Sequence, residues 1–571
     1  MKSYSIFHQA FIYIFLISIL PLFTRCQETG TRQEKVSIDV NLEKEKGPLS
    51  PVWAWFGHDE PNYTYMKDGK KLLSEISDAF PVPVYVRTHN LLTSGDGTPA
   101  LKWGSTNAYT EDSEGNPVYD WTLIDSIFDT YVERGMKPLV EIGFMPEALS
   151  VNPEPYRHAW DPGDPYGNIY TGWAYPPKDY KKWAELVYQW VSHSVDRYGT
   201  EEVATWHWEP WNEPNIGYWQ GTTEEYIKLY DYTADAVKRA LPDAIIGGPH
   251  VTGPAWDVSE EFFREFLDHC LEGKNYATGK QGSPIDFIAF HAKGFPTIVE
   301  DMVRMDLGRQ LRDISSGFEI VASYPGLKHL PVIIGESDPE GCAACPMKHY
   351  PHNAYRNGTM YSSYTAAAFA RKLDLAEYFD VNFLGAVTWA FEFEGQPWFS
   401  GFRDLATNGV DKPVLNVFRM YGMMQGNRVE VSGDLAYDFI TVRDSSVRGS
   451  KPDINALAAK DEHTATVMVW NYHDDNILLP ASPVDINITG IPGEKVQVKH
   501  YRIDQQYSNS YERWKEMGSP QDPDEEQYRA LEEAGRLQMM DPAKKMNVKD
   551  GQLTVSMELP GQGVSLLKIE W

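Results

Sequence analysis

The order of apolar and polar positions divides the chain into two styles. From about residue 50 to 426, short apolar runs alternate with longer stretches whose apolar positions recur at helical spacing. The short runs predict strands at 52–55, 84–87, 138–142, 205–208, 244–247, 287–290, 332–334 and 384–389. Between them, helical periodicity is clearest at 120–134, 178–197, 223–240, 260–271 and 361–378. Within the second of these, Trp183, Val187, Trp190, Val191 and Val195 form one stripe of period 3.6. Eight strands alternating with helices predict a (β/α)8 TIM barrel over 50–426, although an open doubly wound sheet would give a similar pattern. The barrel is preferred because the chemically suggestive residues fall at strand carboxyl ends, where barrel enzymes carry their sites. These are His89, Glu141, Glu213, His250, His291, Glu336 and Trp389.

Beyond residue 427 the period changes to two. Runs at 429–431, 466–470, 484–488, 496–498 and 553–557 alternate apolar with polar residues and are broken by Gly, Pro and Asn. This predicts an accessory antiparallel β-sandwich over 427–571. Residues 26–49 are expected to contribute a strand to it, because 36–42 alternates in the same way. A polar, acidic insertion at 504–540 interrupts the strands, with a short helix expected near 525–533.

Composition adds two constraints. With 42% hydrophobic residues the chain has material for large cores, and 571 residues exceed one ordinary domain. The formal charge of −29 disfavours nucleic acid and anionic membrane surfaces as partners. Near the start, Lys2 precedes an apolar run from Ala10 to Phe23, too short for a membrane span and patterned like a signal peptide over 1–25. Export is therefore expected, to the periplasm or cell surface. Cys26 is a candidate lipid-anchor position, although Phe23-Thr24-Arg25 is a poor approach to a lipoprotein cysteine. Oligomeric state is not readable from the sequence.

The candidate chemistry centres on Trp206-His207-Trp208-Glu209-Pro210-Trp211-Asn212-Glu213-Pro214-Asn215. Pro214 cannot donate to a ladder, so strand pairing is expected to end about where Glu213 stands. Indole walls would desolvate that carboxyl group and raise its pKa, as a general acid requires. A second carboxylate, Glu336, follows the buried run Pro331-Val332-Ile333-Ile334-Gly335. Two such groups fit hydrolysis of a glycosidic bond, with retention if they stand roughly 5 Å apart and inversion if the gap is wider. An inactive, carbohydrate-binding barrel would keep the aromatics but has no need of both carboxylates.

Among the four cysteines, Cys342 and Cys345 follow Glu336 closely. In an oxidising compartment they are expected to form a local disulfide; free thiols, or zinc shared with His349 and His352, are the other readings. Lys348, His349, His352 and Arg356 make this loop cationic in an otherwise acidic chain. Arg suits sulfate or uronate, so the cluster suggests an anionic substrate, set against solvated surface charge.

Taken together, the motifs resemble glycoside hydrolase family 39, the group containing β-xylosidases and α-L-iduronidases. The resemblance rests on Trp211-Asn212-Glu213-Pro214-Asn215 and on Val140-Glu141-Ile142-Gly143-Phe144-Met145-Pro146. It is supported by Val86-Arg87-Thr88-His89-Asn90, by Glu336 and by Gly385-Ala386-Val387-Thr388-Trp389, and extends to the stretch from Tyr501 to Gly518. It implies a retaining mechanism with Glu213 as acid/base and Glu336 as nucleophile, no cofactor and no metal. Asn212 would bind the sugar's 2-hydroxyl, His89 and His291 would lie near the sugar, and Trp389 would form its floor. His250 and Glu141 would stand behind these. The implied activity is β-xylosidase-like, acting on polysaccharide-derived oligosaccharides. An α-L-linked rhamnose or uronic acid is the alternative.

Overall fold

The computed structural model describes residues 35–88, 90–99, 101, 104–156 and 172–571. The expected leader 1–25, Cys26 and His89 lie outside the described residues.

Nine parallel segments form one sheet that closes on itself. Its strands are β1 (Trp55–His58), β2 (Tyr85–Thr88), β3 (Lys137–Glu141), β4 (His207–Glu209), β5 (Ile245–Thr252), β6 (Phe287–His291) and β7 (Val332–Glu336). The eighth position, β8, is broken into Phe383–Ala386, which pairs with β7, and Thr388–Trp389, which pairs with β1. Only Val387 separates the two halves, so a single turn of backbone changes partner and shuts the barrel.

After each strand comes a helix: α1 (Lys67–Ala79), α2 (Thr122–Val132), α3 (Tyr180–Tyr198), α4 (Thr223–Ala240), α5 (Asp257–Glu272), α6 (Leu307–Ala322), α7 (Thr359–Phe379) and α8 (Pro413–Gly422). The stripe on α3 is buried at Trp183, Val187, Trp190 and Val191. Each fully buried large apolar side chain contributes roughly 1.5–3 kcal/mol. The Trp183 indole also donates to Thr233 Oγ1 on α4 at 2.8 Å, so neighbouring helices are keyed together. Helix α4 starts on a capping box in which Thr222 and Glu225 satisfy each other's backbone N–H groups.

Two boundaries differ from expectation. The first strand is Trp55–His58 rather than 52–55, because Ser50 and Pro51 carbonyls take the Val52 and Ala54 amides in local turns. The fourth ends at Glu209, not Glu213, since Pro210 already removes a ladder donor.

The second sheet has ten strands. Nine of its strands follow one continuous hydrogen-bonded path that includes the N-terminal strand Val36–Pro48, and the tenth, Lys544–Asn547, pairs off that path with Lys495–Ile503. That strand lies antiparallel to Asn427–Gly433 on one side and parallel to Ser482–Thr489 on the other. Ile38, Val40 and Leu42 face the same apolar core as Val467, Ile486 and Leu567. The acidic insertion forms helices Ser510–Glu516 and Glu525–Gly535. Trp514 and Leu531 pack on Trp398, Phe399 and Val410, so the insertion is fastened to the barrel's C-terminal loops.

The loop after β7 has its own buried framework. Cys342 and Cys345 form a disulfide. Glu340 pairs with Arg356 at 2.7 Å and Arg403 at 2.9 Å, and accepts from Tyr355 at 2.8 Å. Burial alone would raise this carboxyl group, but the two guanidinium groups hold it at about 2. Arg356 also donates to the carbonyls of Ala343, Cys345 and Gly401, and its side chain is fully buried. This corrects the expectation of a substrate-facing Arg356: the guanidinium holds loop backbone, while Lys348 and His349 face solvent. Arg356→Ala is expected to cost about 3–5 kcal/mol by leaving Glu340 with one of its two guanidinium partners and four carbonyls, of Cys342, Ala343, Cys345 and Gly401, without their donor. A lowered denaturation midpoint, with unchanged preference between charged and neutral substrates, is the measurement that checks it.

Candidate active site

The carboxyl end of the barrel gathers ionisable side chains from five strands. Arg87 on β2 is fully buried and spans three acceptors. Its Nε donates to Glu209 Oε1 at 2.8 Å, Nη1 reaches Glu336 Oε1 at 3.2 Å, and Nη2 donates to Asn212 Oδ1 at 3.1 Å. A buried guanidinium needs such anionic partners, and here they fix the geometry of two different loops.

Glu213 sits four residues beyond β4, in a backbone turn with φ of 43°. A non-glycine residue pays strain there, which the surroundings must offset. Asn215 does much of this: its Nδ2 donates to the Thr252 carbonyl at 3.0 Å and its Oδ1 accepts from the Thr252 amide at 3.0 Å. The Trp211 indole anchors the other flank by donating to the Tyr218 carbonyl at 2.7 Å. Glu336 ends β7 in register with His291 on β6. One oxygen from each carboxylate and one nitrogen of His291 lie within 4.8 Å of one another.

Lys293, two residues past β6, joins the pair. Its ammonium bonds Glu213 Oε1 and stands 2.7 Å from Glu336 Oε2. Burial, the largest single influence, would raise both carboxylates, but the Lys293 charge together with His291, through its hydrogen bond to Glu213 and its charge beside Glu336, more than offsets it. Both groups therefore sit below the usual carboxylate range. The expectation of a raised Glu213 pKa is corrected: the indoles exclude water, but they do so around a bound cation. Lys293 is raised in turn, the two carboxylates overcoming its own desolvation. Glu213, His291 and Glu336 are the one cluster of metal-ligand type found among the described residues. The Lys293 ammonium offsets one of the two negative charges carried by its carboxylate partners.

Behind these groups runs a chain of contacts. His291 Nδ1 lies 2.9 Å from Glu213 Oε1, His291 Nε2 lies 3.1 Å from His250 Nδ1, and His250 Nε2 contacts Glu209 Oε2. Gly335 makes room for it, since a Cβ there would meet His250 Nδ1 at 2.2 Å. Trp389, at the end of β8, is 2% exposed, with the Arg87 guanidinium 4.9 Å from its ring centre and its backbone amide held by Asp338 at 3.1 Å. Gly57 on β1 leaves space for that indole.

Of the residues singled out from sequence, the structure brings Asn212, Glu213, His291, Glu336 and Trp389 around one centre, with His250 behind. Glu141 is buried at the end of β3 in register with Glu209. Sequence reasoning missed Arg87, Glu209 and Lys293. An arginine inside a short apolar strand is itself a signal, because it demands buried anions. Lys293 shares the alternation of His291, so a strand continued by two residues would have pointed both the same way.

A family model for glycosyl hydrolases family 39 matches residues 36–552. The chain is 28% identical over 531 residues to a β-xylosidase of Caldicellulosiruptor saccharolyticus, covering 89% of this chain and 93% of that protein. It is 22% identical over 490 residues to an α-L-iduronidase of Mus musculus, covering 79% of this chain and 68% of that one. Among solved structures, a monomeric β-xylosidase from Caulobacter crescentus CB15 shares the fold with a TM-score of 0.72 at 22% identity, over 94% of this chain and 99% of that one.

Proposed function

Because the chain belongs to glycosyl hydrolases family 39 and is a glycosidase, we propose that it cleaves polysaccharide-derived oligosaccharides with retention of anomeric configuration, acting as a β-xylosidase. The observation that carries this reading is the approach of Glu213 and Glu336, whose oxygens come within 4.8 Å. Retaining enzymes hold their carboxyl groups about 5 Å apart, whereas inverting ones leave room for a water molecule between.

In the first step, a Glu336 oxygen attacks the anomeric carbon. The bond to the leaving oxygen breaks, and Glu213 supplies that oxygen's proton. In the second step, water attacks the glycosyl ester, Glu213 takes a proton from it, and Glu336 departs as carboxylate. Arg87 bonds one Glu336 oxygen and so steers which lone pair faces the sugar. It also holds Asn212 by its carbonyl oxygen, which turns the amide N–H toward the sugar's 2-hydroxyl. Trp389, steadied by Arg87, supplies the floor. The chemistry needs two carboxylates and water.

An α-L-linked uronate is the second reading, favoured by Lys293: a nearly buried ammonium at both carboxylates offers a counter-charge to a sugar carboxylate. Initial rates on aryl β-xyloside and aryl α-L-iduronide, with the first-formed anomer followed by proton NMR, test both. Cleavage of the xyloside with β-xylose appearing first is the expected result. Cleavage of the iduronide alone selects the second reading, and a first product of inverted configuration contradicts the mechanism. Export with a lipid anchor at Cys26 remains part of the proposal and is checked by membrane fractionation with Cys26→Ser alongside.

A further inference from the structure

The chain Glu209–His250–His291–Glu213 has a property that follows from counting protons. Its three contacts join a carboxylate, two imidazole rings and a second carboxylate. Each contact needs one proton between its two heavy atoms. Two neutral imidazoles carry one proton each, which leaves one contact without. If His250 donates to Glu209, its Nδ1 must accept from His291, and His291 Nδ1 then presents a lone pair to Glu213. A lone pair facing a carboxylate oxygen at 2.9 Å is repulsive unless a proton lies between them.

We propose that Glu209, His250 and His291 form a relay that holds one additional proton at the Glu213 end, with His250 as its positioning residue. The proposal rests on the reading of Glu213 as acid/base. Arg87, bonded to Glu209 through two nitrogens, keeps the far end anionic, so the additional proton resides on the Glu213–His291 pair. This supplies what the site otherwise lacks. Lys293 favours an ionised Glu213, which by itself would leave the general acid empty. A proton kept on the shared pair is one hydrogen bond away when the leaving oxygen needs it. On departure of that oxygen the chain holds one proton fewer, and the proton taken from water restores it. Desolvation, the largest influence on both rings, favours their neutral forms, with His250 at about 4, so neither ring carries the additional proton as an isolated imidazolium.

The groups that face this pair are Arg87 from β2, Tyr218 beyond β4, His250 from β5, Lys293 beyond β6 and Glu336 from β7, with Glu209 reached through His250. His250→Leu cuts the link to Glu209, whose negative charge favours the additional proton. The pair then gives it up more readily, so the basic limb of kcat/KM is expected to move to lower pH by about one unit. His250→Gln keeps a donor toward Glu209 and an acceptor toward His291, and is expected to restore the limb. The loss in His250→Leu should shrink as the leaving group improves, because a dinitrophenolate departs without protonation.

An unmoved limb in a folded His250→Leu protein would overturn the relay. Neutron diffraction from crystals of the unsubstituted chain in D2O decides it without any variant: three deuterons, one in each contact, are expected, and an empty contact would refute the proposal. Failure of the underlying reading is separable. Glu213→Ala should then give no retained glycosyl azide when azide is added, whereas failure of the relay alone leaves that rescue intact.

Discussion

Replacing Glu336 with alanine is expected to lower kcat by about four orders of magnitude or more, the scale seen when a group acting as one unit with its partners is removed. The side chain is 5% exposed, bonded by Arg87 and Lys293, and has no neighbouring carboxylate able to take its position. Glu213 is held in its own place by Lys293 and His291. The cavity left by the deleted carboxyl group would admit azide, and turnover should return as glycosyl azide of inverted configuration. Fold should survive, since Arg87 keeps Glu209 and Asn212 as partners. Substantial residual hydrolysis in this variant would mean that another strand-end carboxylate, with Glu209 first, carries the attack.

The second large effect is expected from Lys293→Met. In the native site, burial pushes Glu336 up, and the Lys293 charge is the largest of the influences, with His291 and Arg87, that together bring it down. Without the ammonium, two desolvated carboxylates lie within 4.8 Å with His291 between them, and one is driven to keep a proton. Glu336 must be ionised to attack. A pKa lowered by Lys293 means that its reactive form persists into acid. Once the group is raised, that form is lost as pH falls through the higher value. The acidic limb of kcat/KM should therefore move to higher pH by about one to two units, with a loss that reaches roughly tenfold to a hundredfold at pH values below both the native and the shifted limb. KM for a neutral xyloside should stay close to its native value. A rise in KM confined to a uronate substrate would instead identify Lys293 as the sugar's counter-charge. An unmoved acidic limb would show that Arg87 alone keeps Glu336 ionised.

Much of this arrangement was legible from the chain. Period 3.6 alternating with short apolar runs specified a parallel sheet covered by helices on both faces, and the chemical residues at strand carboxyl ends favoured the barrel over an open sheet. The change to period two after residue 427 marked the second sheet for the converse reason: strands such as Ser482–Thr489 and Gln552–Leu559 alternate a more buried face with a more open one, although Thr464–Tyr472 is buried on both. Helices α1 and α6 were less visible. Six charged residues crowd α1, and Ser315, Ser316 and Gly317 interrupt the apolar stripe of α6, so neither stands out without its packing partners.

The site divides along a similar line. Glu213 and Glu336 are announced by proline, glycine and the buried runs before them. What the sequence could not supply was the sign of the electrostatics. Tryptophans around Glu213 pointed to a raised pKa, yet a lysine beyond β6 and His291 on that strand together reverse it. Arg356 shows the same limit in the other direction. Its charge and its place after the nucleophile suggested a ligand, but its partners are carbonyls and Glu340. Charge along a chain gives no depth, and depth decides whether a cation binds substrate or backbone.

The central claim is that Glu336 becomes covalently bonded to the sugar. Incubation with an activated 2-deoxy-2-fluoro glycoside slows both steps but spares formation of the ester, so the intermediate accumulates. Proteolysis and mass spectrometry should then find one fluoroglycosyl group per chain, on the peptide containing Gly335-Glu336-Ser337. A label on another carboxylate, or turnover with no label and an inverted first product, would contradict the account.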